Sequence, residues 1–233
     1  MRIALFGYGK MGKMIEKIAS ERGHDIVARI DVDTPKIDFS NMDVAIDFSM
    51  PDAAFANISN CFEHGIPVIS GTTGWLKDFD KAVTLCREKE GAFIYASNFS
   101  LGVNIFFELN AYLAKMMKNL DQYDVAMEEI HHTQKLDAPS GTAITLAEGI
   151  IKNSNYDTWK LGQGDGKEIG ITSKRIESVP GTHTVAYNSA VDSIEIKHTA
   201  HNRQGFALGA VTAAEWIVGK KGVFTMKDVL NLG

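Results

Sequence analysis

Short apolar runs alternate with segments of helical periodicity through the first hundred residues. Apolar runs bounded by turn residues predict strands near residues 2–6, 25–30, 44–48, 67–70 and 92–96. Apolar positions at helical spacing predict helices near residues 11–22, 52–64, 76–90 and 101–118. Strands that are apolar throughout are typical of a parallel sheet that is covered on both faces. The pattern predicts an α/β fold with a Rossmann-like, doubly wound parallel sheet.

The pattern changes after about Leu120. Longer strands are predicted near residues 123–130, 169–179 and 193–198, with one clear helix at 142–152. Strands with few intervening helices indicate a second α+β domain on a mixed sheet. The helical segments 206–219 and 225–232 then return to the first domain, so we expect one domain of residues 1–100 plus 203–233 and another of 101–202.

Composition narrows the class of partner. Of the 233 residues, 45% are hydrophobic and 23% charged, which is typical of a soluble globular protein, and no apolar run is long enough to span a bilayer. The apolar start has no leader-like features, so we expect a cytoplasmic location. A net charge of −5 argues against nucleic-acid binding and favours a small-molecule partner. Cys61 and Cys86 are expected to be reduced packing residues, and no metal site is predicted.

A glycine-rich turn follows the first strand. Its residues match G-x-G-x-x-G between a strand and a helix, the context in which the motif binds the pyrophosphate of a dinucleotide; they are Gly7, Tyr8, Gly9, Lys10, Met11 and Gly12. Asp31, at the end of the next strand, is suited to bind an adenosine ribose and favours NADH, because a carboxylate repels a 2′-phosphate. Lys10 could instead attract that phosphate. NADH, NADPH or both therefore remain open as cofactors, and a purely structural glycine turn is the alternative.

Two further loops follow predicted strand ends. Ligands of open α/β sheets bind beyond the carboxyl ends of the strands, so both loops are candidates to contact the nicotinamide half of the cofactor. Ordinary turn chemistry is the alternative explanation. The candidate residues are Gly71, Thr72 and Thr73 after the fourth strand, and Ala96, Ser97, Asn98 and Phe99 after the fifth.

The densest group of chemically active residues is His131-His132-x-x-Lys135, followed by Asp137-Ala-Pro-Ser-Gly-Thr at the start of a predicted helix. Ser140 and the exposed N–H groups of Gly141 and Thr142 could hold a carboxylate at the helix N-terminus. Lys135 adds positive charge, and a histidine can exchange a proton near neutral pH. An anionic substrate is predicted; a strand that merely ends in histidines before a well-capped helix is the alternative.

The motif H-H-x-x-K-x-D-A-P-S-G-T-A closely resembles the signature of the dihydrodipicolinate reductase family. The resemblance covers nearly the whole chain, including the glycine turn, G-T-T at 71–73, S-N-F-S at 97–100 and K-D-V-L at 227–230. It implies a homotetrameric 4-hydroxy-tetrahydrodipicolinate reductase of lysine and diaminopimelate biosynthesis, which uses NADH or NADPH to reduce a cyclic dicarboxylate. The domain of 1–100 plus 203–233 would bind the dinucleotide, and that of 101–202 would bind substrate and form the oligomer.

The resemblance also implies roles for single residues. His131 corresponds to the family's proton donor and acceptor, and Lys135 to a second proton donor that assists loss of a hydroxyl as water. The implied substrate contacts are His132, Ser140, Gly141, Thr142 and, with less support, Arg203.

The chain also departs from the family pattern. Its glycine turn is one residue shorter than in longer members, and Val32 stands where NADPH-preferring members carry arginine, which weakens an NADPH assignment. The rival functions are another dinucleotide-dependent oxidoreductase, which leaves the D-A-P-S-G-T segment unexplained, and a regulator that binds NADH without chemistry.

Overall fold

The computed structural model describes residues 1–34, 37–202 and 204–232. The chain divides into two compact units, Met1–Leu101 with Gln204–Gly233 and Gly102–Arg203. The second unit is therefore inserted into the first, which draws on two separate stretches of sequence.

The elements follow one another along the chain with few long loops. They are β1 (Arg2–Phe6), α1 (Lys10–Glu21), β2 (Asp25–Ile30), β3 (Val44–Asp47), α2 (Pro51–Glu63), β4 (Val68–Ser70), α3 (Phe79–Glu88), β5 (Ala92–Tyr95), α4 (Leu101–Met117), β6 (Asp124–His131), α5 (Gly141–Asn153), β7 (Thr158–Leu161), β8 (Glu168–Arg175), β9 (Gly181–Asn188), β10 (Ser193–Ala200), α6 (Gln204–Ile217), β11 (Gly222–Phe224) and α7 (Met226–Leu230).

The first unit is built on a six-stranded sheet in the order β11-β5-β4-β3-β1-β2. All of its pairings are parallel. Two apolar clusters cover its two faces, one with α1 and α6, the other with α2 and α3. The predicted doubly wound, Rossmann-like parallel sheet is confirmed.

Helix α6 is a large part of the first unit's core. It contributes six buried residues to one cluster: Ala207, Ala210, Val211, Ala213, Ala214 and Ile217. At Gly209, an added Cβ would lie 1.7 Å from the carbonyl oxygen of Phe99. The helix therefore packs against the loop after β5 at a distance that only glycine permits.

The second unit is built on a five-stranded sheet in the order β10-β9-β6-β8-β7. β6 pairs antiparallel with β9 and parallel with β8, so the predicted mixed sheet is confirmed. Helices α4 and α5 pack on the face that carries Val125, Met127 and Val185. Because side chains alternate along a strand, the residues between these point to the opposite face.

Some elements differ from the sequence prediction. The strand expected over 169–179 ends at Arg175, before a turn in which Ser178 has a φ of 64°. Three strands, β7, β9 and β11, were not predicted, because β7 and β11 are very short and β9 is rich in threonine and histidine. The helix expected over 76–90 begins with a 3-10 turn at Leu76–Asp78 and is helical only from Phe79.

Among the described residues, no helix combines the length and apolar character that crossing a membrane requires. Cys61 and Cys86 are both buried and form no disulfide, as expected.

Candidate active site

The glycine turn of the first unit has two close-packed glycines and one that faces open space. An added Cβ would lie 2.1 Å from the carbonyl oxygen of Phe48 at Gly7, which also has a φ of +87°, and 2.4 Å from the carbonyl oxygen of Gly7 at Gly12. At Gly9, no atom lies within 4 Å of that position. Gly9 caps α1 without any side-chain hydrogen bond, so the first N–H groups of the helix face this space. The turn fits a dinucleotide pyrophosphate.

A cavity of about 400 Å³ adjoins this turn. Four of the predicted cofactor residues, Gly7, Tyr8, Gly9 and Asp31, line it. The exposed Asp31 accepts a hydrogen bond from the N–H of Val32 (3.0 Å) through Oδ1. Val32, noted in the sequence as a departure from the family pattern, also lines it. The sequence did not indicate the other lining residues, which are Ile30, Thr34, Ile37, Phe48, Ser49, Met50, Ala53 and Asn57.

Tyr8 is fixed on the wall of this cavity by charged neighbours. Its hydroxyl donates to Glu16, which also pairs with Arg29. The guanidinium of Arg29 lies 5.7 Å from the ring centroid of Tyr8. Hydrogen bonds from Arg29 and Tyr8 lower the pKa of Glu16. The ring is thus held beside the glycine turn and can form a surface for the cofactor.

The remaining predicted cofactor residues lie at the same end of the sheet but outside this cavity lining. Lys10 and Met11 form the first turn of α1 with Gly12, and Lys10 lines a separate shallow surface depression with Lys13 and Lys17. Residues 71–73 directly follow β4, and residues 96–99 directly follow β5.

A buried carboxylate connects two of the loops. Asp47, at the end of β3, accepts hydrogen bonds from Ser49 Oγ (2.6 Å), Asn57 Nδ2 (3.1 Å), Ser70 Oγ (3.0 Å) and Thr72 Oγ1 (2.7 Å). Burial raises the pKa of Asp47, while these hydrogen bonds oppose the rise. Asp47 was missed in the sequence, where it reads only as the end of an apolar strand.

In the second unit, the inward face of β6 ends in a buried acid and a histidine. Glu129 and His131 are two positions apart and share this face, and Glu129 is fully buried. Glu129 Oε2 contacts His131 Nδ1, and Glu129 Oε1 accepts bonds from both terminal nitrogens of Arg175, each at 3.0 Å. Burial alone would raise the pKa of Glu129, but interactions with His131, Ser173 and Arg175 lower it to about 2. Glu129 is therefore an anion across the working pH range.

His183 connects this histidine to the start of α5. It lies opposite Glu129 in the β6–β9 register, and its ring stands edge-on to that of His131 with centroids 5.1 Å apart. Its Nε2 lies 3.0 Å from Ser140 Oγ, which caps α5 by accepting the N–H of Ala143 at 3.2 Å. Burial, with the charge of His131, lowers the pKa of His183 to about 4. His183 is therefore neutral at physiological pH.

Lys135 lies on the loop between β6 and α5, and Arg175 holds this loop. Lys135 Nζ donates to Asp137 Oδ1 at 2.8 Å. Arg175 Nε donates to the carbonyl oxygen of Lys135 (3.2 Å), and an Arg175 terminal nitrogen donates to that of Asp137 (2.6 Å). The loop is thus joined to Glu129 through one guanidinium.

The start of α5 is open to a ligand at Gly141, where an added Cβ would have no neighbour within 4 Å. Thr142 follows in the first turn. His132 is half-buried, and its Nδ1 is shielded without a hydrogen-bond partner among the described residues. The predicted Arg203 lies outside the residues that the structure describes. The arrangement combines a helix N-terminus, a lysine and two histidines, which is suited to an anion that accepts a proton.

Glu129, His131 and His183 also form a possible metal-ligand set, since their ligand atoms lie within 4.8 Å of one another. Glu129 Oε1 and the Nε2 of His183 have partners in Arg175 and Ser140, and Glu129 Oε2 contacts His131 Nδ1 without the geometry of a regular hydrogen bond. The three side chains are therefore already engaged in protein contacts.

Comparison with known proteins extends this picture to the whole chain. Residues 1–99 match the family model "Dihydrodipicolinate reductase, N-terminus", and residues 102–230 match "Dihydrodipicolinate reductase, C-terminus". The chain is 60% identical to 4-hydroxy-tetrahydrodipicolinate reductase of Christiangramia forsetii, over 99% of this chain and 98% of that protein. It is 38% identical to the protein of that name from Thermosipho africanus, with the same coverage.

A solved structure shares the fold. The dipicolinate-bound dihydrodipicolinate reductase of Paenisporosarcina sp. TG-14 superposes with a TM-score of 0.79 at 21% identity, covering 97% of each chain.

Proposed function

Since the chain belongs to the dihydrodipicolinate reductase family, as models covering residues 1–99 and 102–230 show, we propose how its side chains carry out the family's reaction. The chain is an NAD(P)H-dependent oxidoreductase, a 4-hydroxy-tetrahydrodipicolinate reductase of lysine and diaminopimelate biosynthesis. The observation that carries the proposal is the placement of His131 and Lys135 near the open N-terminus of α5.

The second unit, residues 101–202 in the sequence prediction, is proposed to bind the dicarboxylate substrate. Gly141 and Thr142 would donate backbone N–H groups to one carboxylate at the start of α5, where the helix dipole favours negative charge. Ser140 fixes that turn through its bonds to Ala143 and His183. The shielded Nδ1 of His132 gains a partner if a carboxylate lies beside it. Dipicolinate, bound by the Paenisporosarcina relative, also carries two carboxylates on a planar ring.

Proton delivery is proposed for His131 and Lys135. Because Nδ1 of His131 contacts Glu129, Nε2 is the ring atom left to face the substrate. An added Cβ at Gly181 would lie 3.1 Å from this Nε2, so the glycine leaves room beside it. Lys135 would protonate the departing hydroxyl, which leaves as water. The neighbouring ring carbon would lose its proton to the resulting neutral amine of Lys135, which forms the ring double bond and restores the charge of the lysine. The bound cofactor supplies a hydride, and His131 supplies the proton that completes the reduction.

The first unit, residues 1–100 plus 203–233 in the sequence prediction, is proposed to bind the cofactor. The glycine turn would hold the pyrophosphate, and Asp31 the adenosine ribose. Residues 71–73 and 96–99 would contact the nicotinamide half. Asp31 and Val32 favour NADH, while the exposed Lys10 leaves NADPH usable.

We further propose a cytoplasmic homotetramer, as the family resemblance implies. The face of the second sheet opposite α4 and α5 supports oligomerisation. It carries small or polar side chains, including exposed Ala126 and Thr172 and the half-buried Thr184 and Ala186. Such a surface can pack closely against an identical sheet.

A coupled assay tests the site assignment. Purified dihydrodipicolinate synthase, pyruvate and aspartate semialdehyde generate the substrate, and the absorbance of NADH or NADPH reports turnover. We expect His131→Gln and Lys135→Ala to lower kcat by about 100-fold or more, the usual contribution of a positioned proton donor. Affinity for NADH should be retained.

Lys152→Ala, which removes the same charge on the last turn of α5, is the matched control and should leave kcat unchanged. Near-normal turnover by either His131→Gln or Lys135→Ala would refute the role given to that residue.

A further inference from the structure

Glu129 and Arg175 are an almost buried ion pair that the reaction described above does not use directly. We propose that the Glu129–Arg175 pair positions both proton donors, fixing the ring and proton of His131 and the loop that carries Lys135. This inference rests on the proposed function of those two residues.

The first step of the argument concerns His131. Glu129 lies two residues before it on the inward face of β6, so the strand itself directs the carboxylate toward the imidazole. The contact between Glu129 Oε2 and His131 Nδ1 fixes both the ring orientation and the tautomer with a proton on Nδ1. Since Glu129 is ionised at neutral pH, its carboxylate is available as an acceptor for the Nδ1 proton of His131.

The second step concerns Arg175, which extends the same network to Lys135. Both of its terminal nitrogens bind Glu129 Oε1, and its other bonds go to the carbonyl oxygens of Lys135, Asp137 and the adjacent Lys174. A planar guanidinium can make these bonds together, whereas a lysine ammonium at that position cannot. One side chain therefore ties the backbone of the Lys135 loop to the acid that orients His131.

The groups that face this network determine its charge balance. Arg175 approaches from β8, His183 from β9, and Lys135 and Asp137 from the loop, while His198 on β10 acts on His183. With neutral His183, Glu129 and Arg175 compensate each other, and Lys135 pairs with Asp137. Removing the charge of Glu129 would leave Arg175 uncompensated beside His131.

The test uses Glu129→Gln in the full-length enzyme with the coupled assay, measured as kcat and KM across pH. We expect kcat to fall by about 100-fold, since a mispositioned proton donor loses most of its contribution. KM for NADH should stay unchanged. The decline of kcat at high pH should begin at a lower pH, because an imidazolium beside an amide loses its proton more readily than one beside a carboxylate.

Two further variants make the result specific. Glu148→Gln is the matched control: it removes the same charge from an exposed position on α5, and we expect normal kcat. Arg175→Lys keeps the charge but loses the bonds to the carbonyl oxygens of Lys135 and Asp137. It should reduce kcat to a level between wild type and Glu129→Gln without moving the high-pH decline. If Glu129→Gln does not fold, Arg175→Lys decides the question, and wild-type kcat in it overturns the inference.

The outcomes separate this inference from the proposed function. Loss of activity in His131→Gln, with normal kcat and pH profile in Glu129→Gln, overturns the positioning role alone. Normal activity in both variants overturns the role of His131 as well. A lower kcat in Glu129→Gln with an unmoved pH profile means a purely structural role. Stoichiometric metal in the purified enzyme, lost in Glu129→Gln, would reassign the cluster as a metal site.

Discussion

Asp31 allows a direct test of how the first unit selects its dinucleotide. Its exposed carboxylate lies at the wall of the 400 Å³ cavity, held by the N–H of Val32. In NADH, the adenosine ribose offers hydroxyl groups that can donate to this carboxylate, whereas NADPH places a phosphate there. We expect Asp31→Asn to shift the enzyme from NADH toward NADPH.

The expected change in cofactor preference combines a gain in activity with NADPH and a loss of activity with NADH. A 2′-phosphate carries a charge of about −1.5 to −2, and at about 5 Å from a carboxylate in a water-like dielectric the repulsion is about 1–2 kcal/mol. Removing this repulsion should raise kcat/KM for NADPH about 10-fold. Replacing a charged acceptor of ribose hydroxyls by an amide costs about 1 kcal/mol, so kcat/KM for NADH should fall about 5-fold. The ratio of the two should therefore change by about 50-fold.

The assay compares kcat/KM for both cofactors in wild type, Asp31→Asn and Asp33→Asn. Asp33 is an equally exposed acid two residues away that does not line the cavity, so this control changes the net charge equally. The effect should also shrink as salt rises from about 0.05 M to about 0.5 M, because exposed charges are screened. A ratio that changes less than about 2-fold in Asp31→Asn, or equally in Asp33→Asn, would refute the assignment of Asp31 to the ribose.

Two further predictions concern buried acids. Asp47→Ala removes the acceptor of four hydrogen bonds, and we expect an NADH dissociation constant about 10-fold higher by fluorescence titration and a melting midpoint about 5–10 °C lower, whereas exposed Asp52→Ala should change neither. The pKa of Glu129 is lowered from 4.5 to about 2, so its contacts add about 3 kcal/mol of stability above pH 4.5 that is lost as pH falls toward 2. Urea unfolding of wild type and Glu129→Gln should converge over that range, and a constant difference would contradict this.

The sequence predicted the elements whose apolar pattern is strong. β1 and β2 have the predicted limits, because each is mostly apolar and is followed directly by a turn glycine or an acid. β9 was missed because its inward face carries His183 beside Val185 and Tyr187, so alternation alone did not reveal it. β11 has only three residues, too few to show any period.

The candidate site was predictable where a motif is contiguous in sequence, as in the glycine turn and the segment 131–142. Asp47, Glu129 and Arg175 escaped because their significance depends on neighbours far along the chain. A signal for Glu129 was nonetheless present: it is a charged residue at an inward position of a strand, next to Val125 and Met127 in the same alternation. A buried acid at an inward position of a strand needs a hydrogen-bonding or charged partner, and this requirement indicates a cation such as Arg175.

Helix α6 also affects the timing of folding during synthesis. The ribosome completes residues 1–101 and must then make about a hundred more before α6 emerges, which takes about 5–20 s at typical bacterial elongation rates. Until then, the apolar sheet face that Ala210, Val211 and Ile217 cover has no partner from α6. During this time the nascent cofactor-binding unit exposes an apolar surface, and chaperone binding would be most useful then.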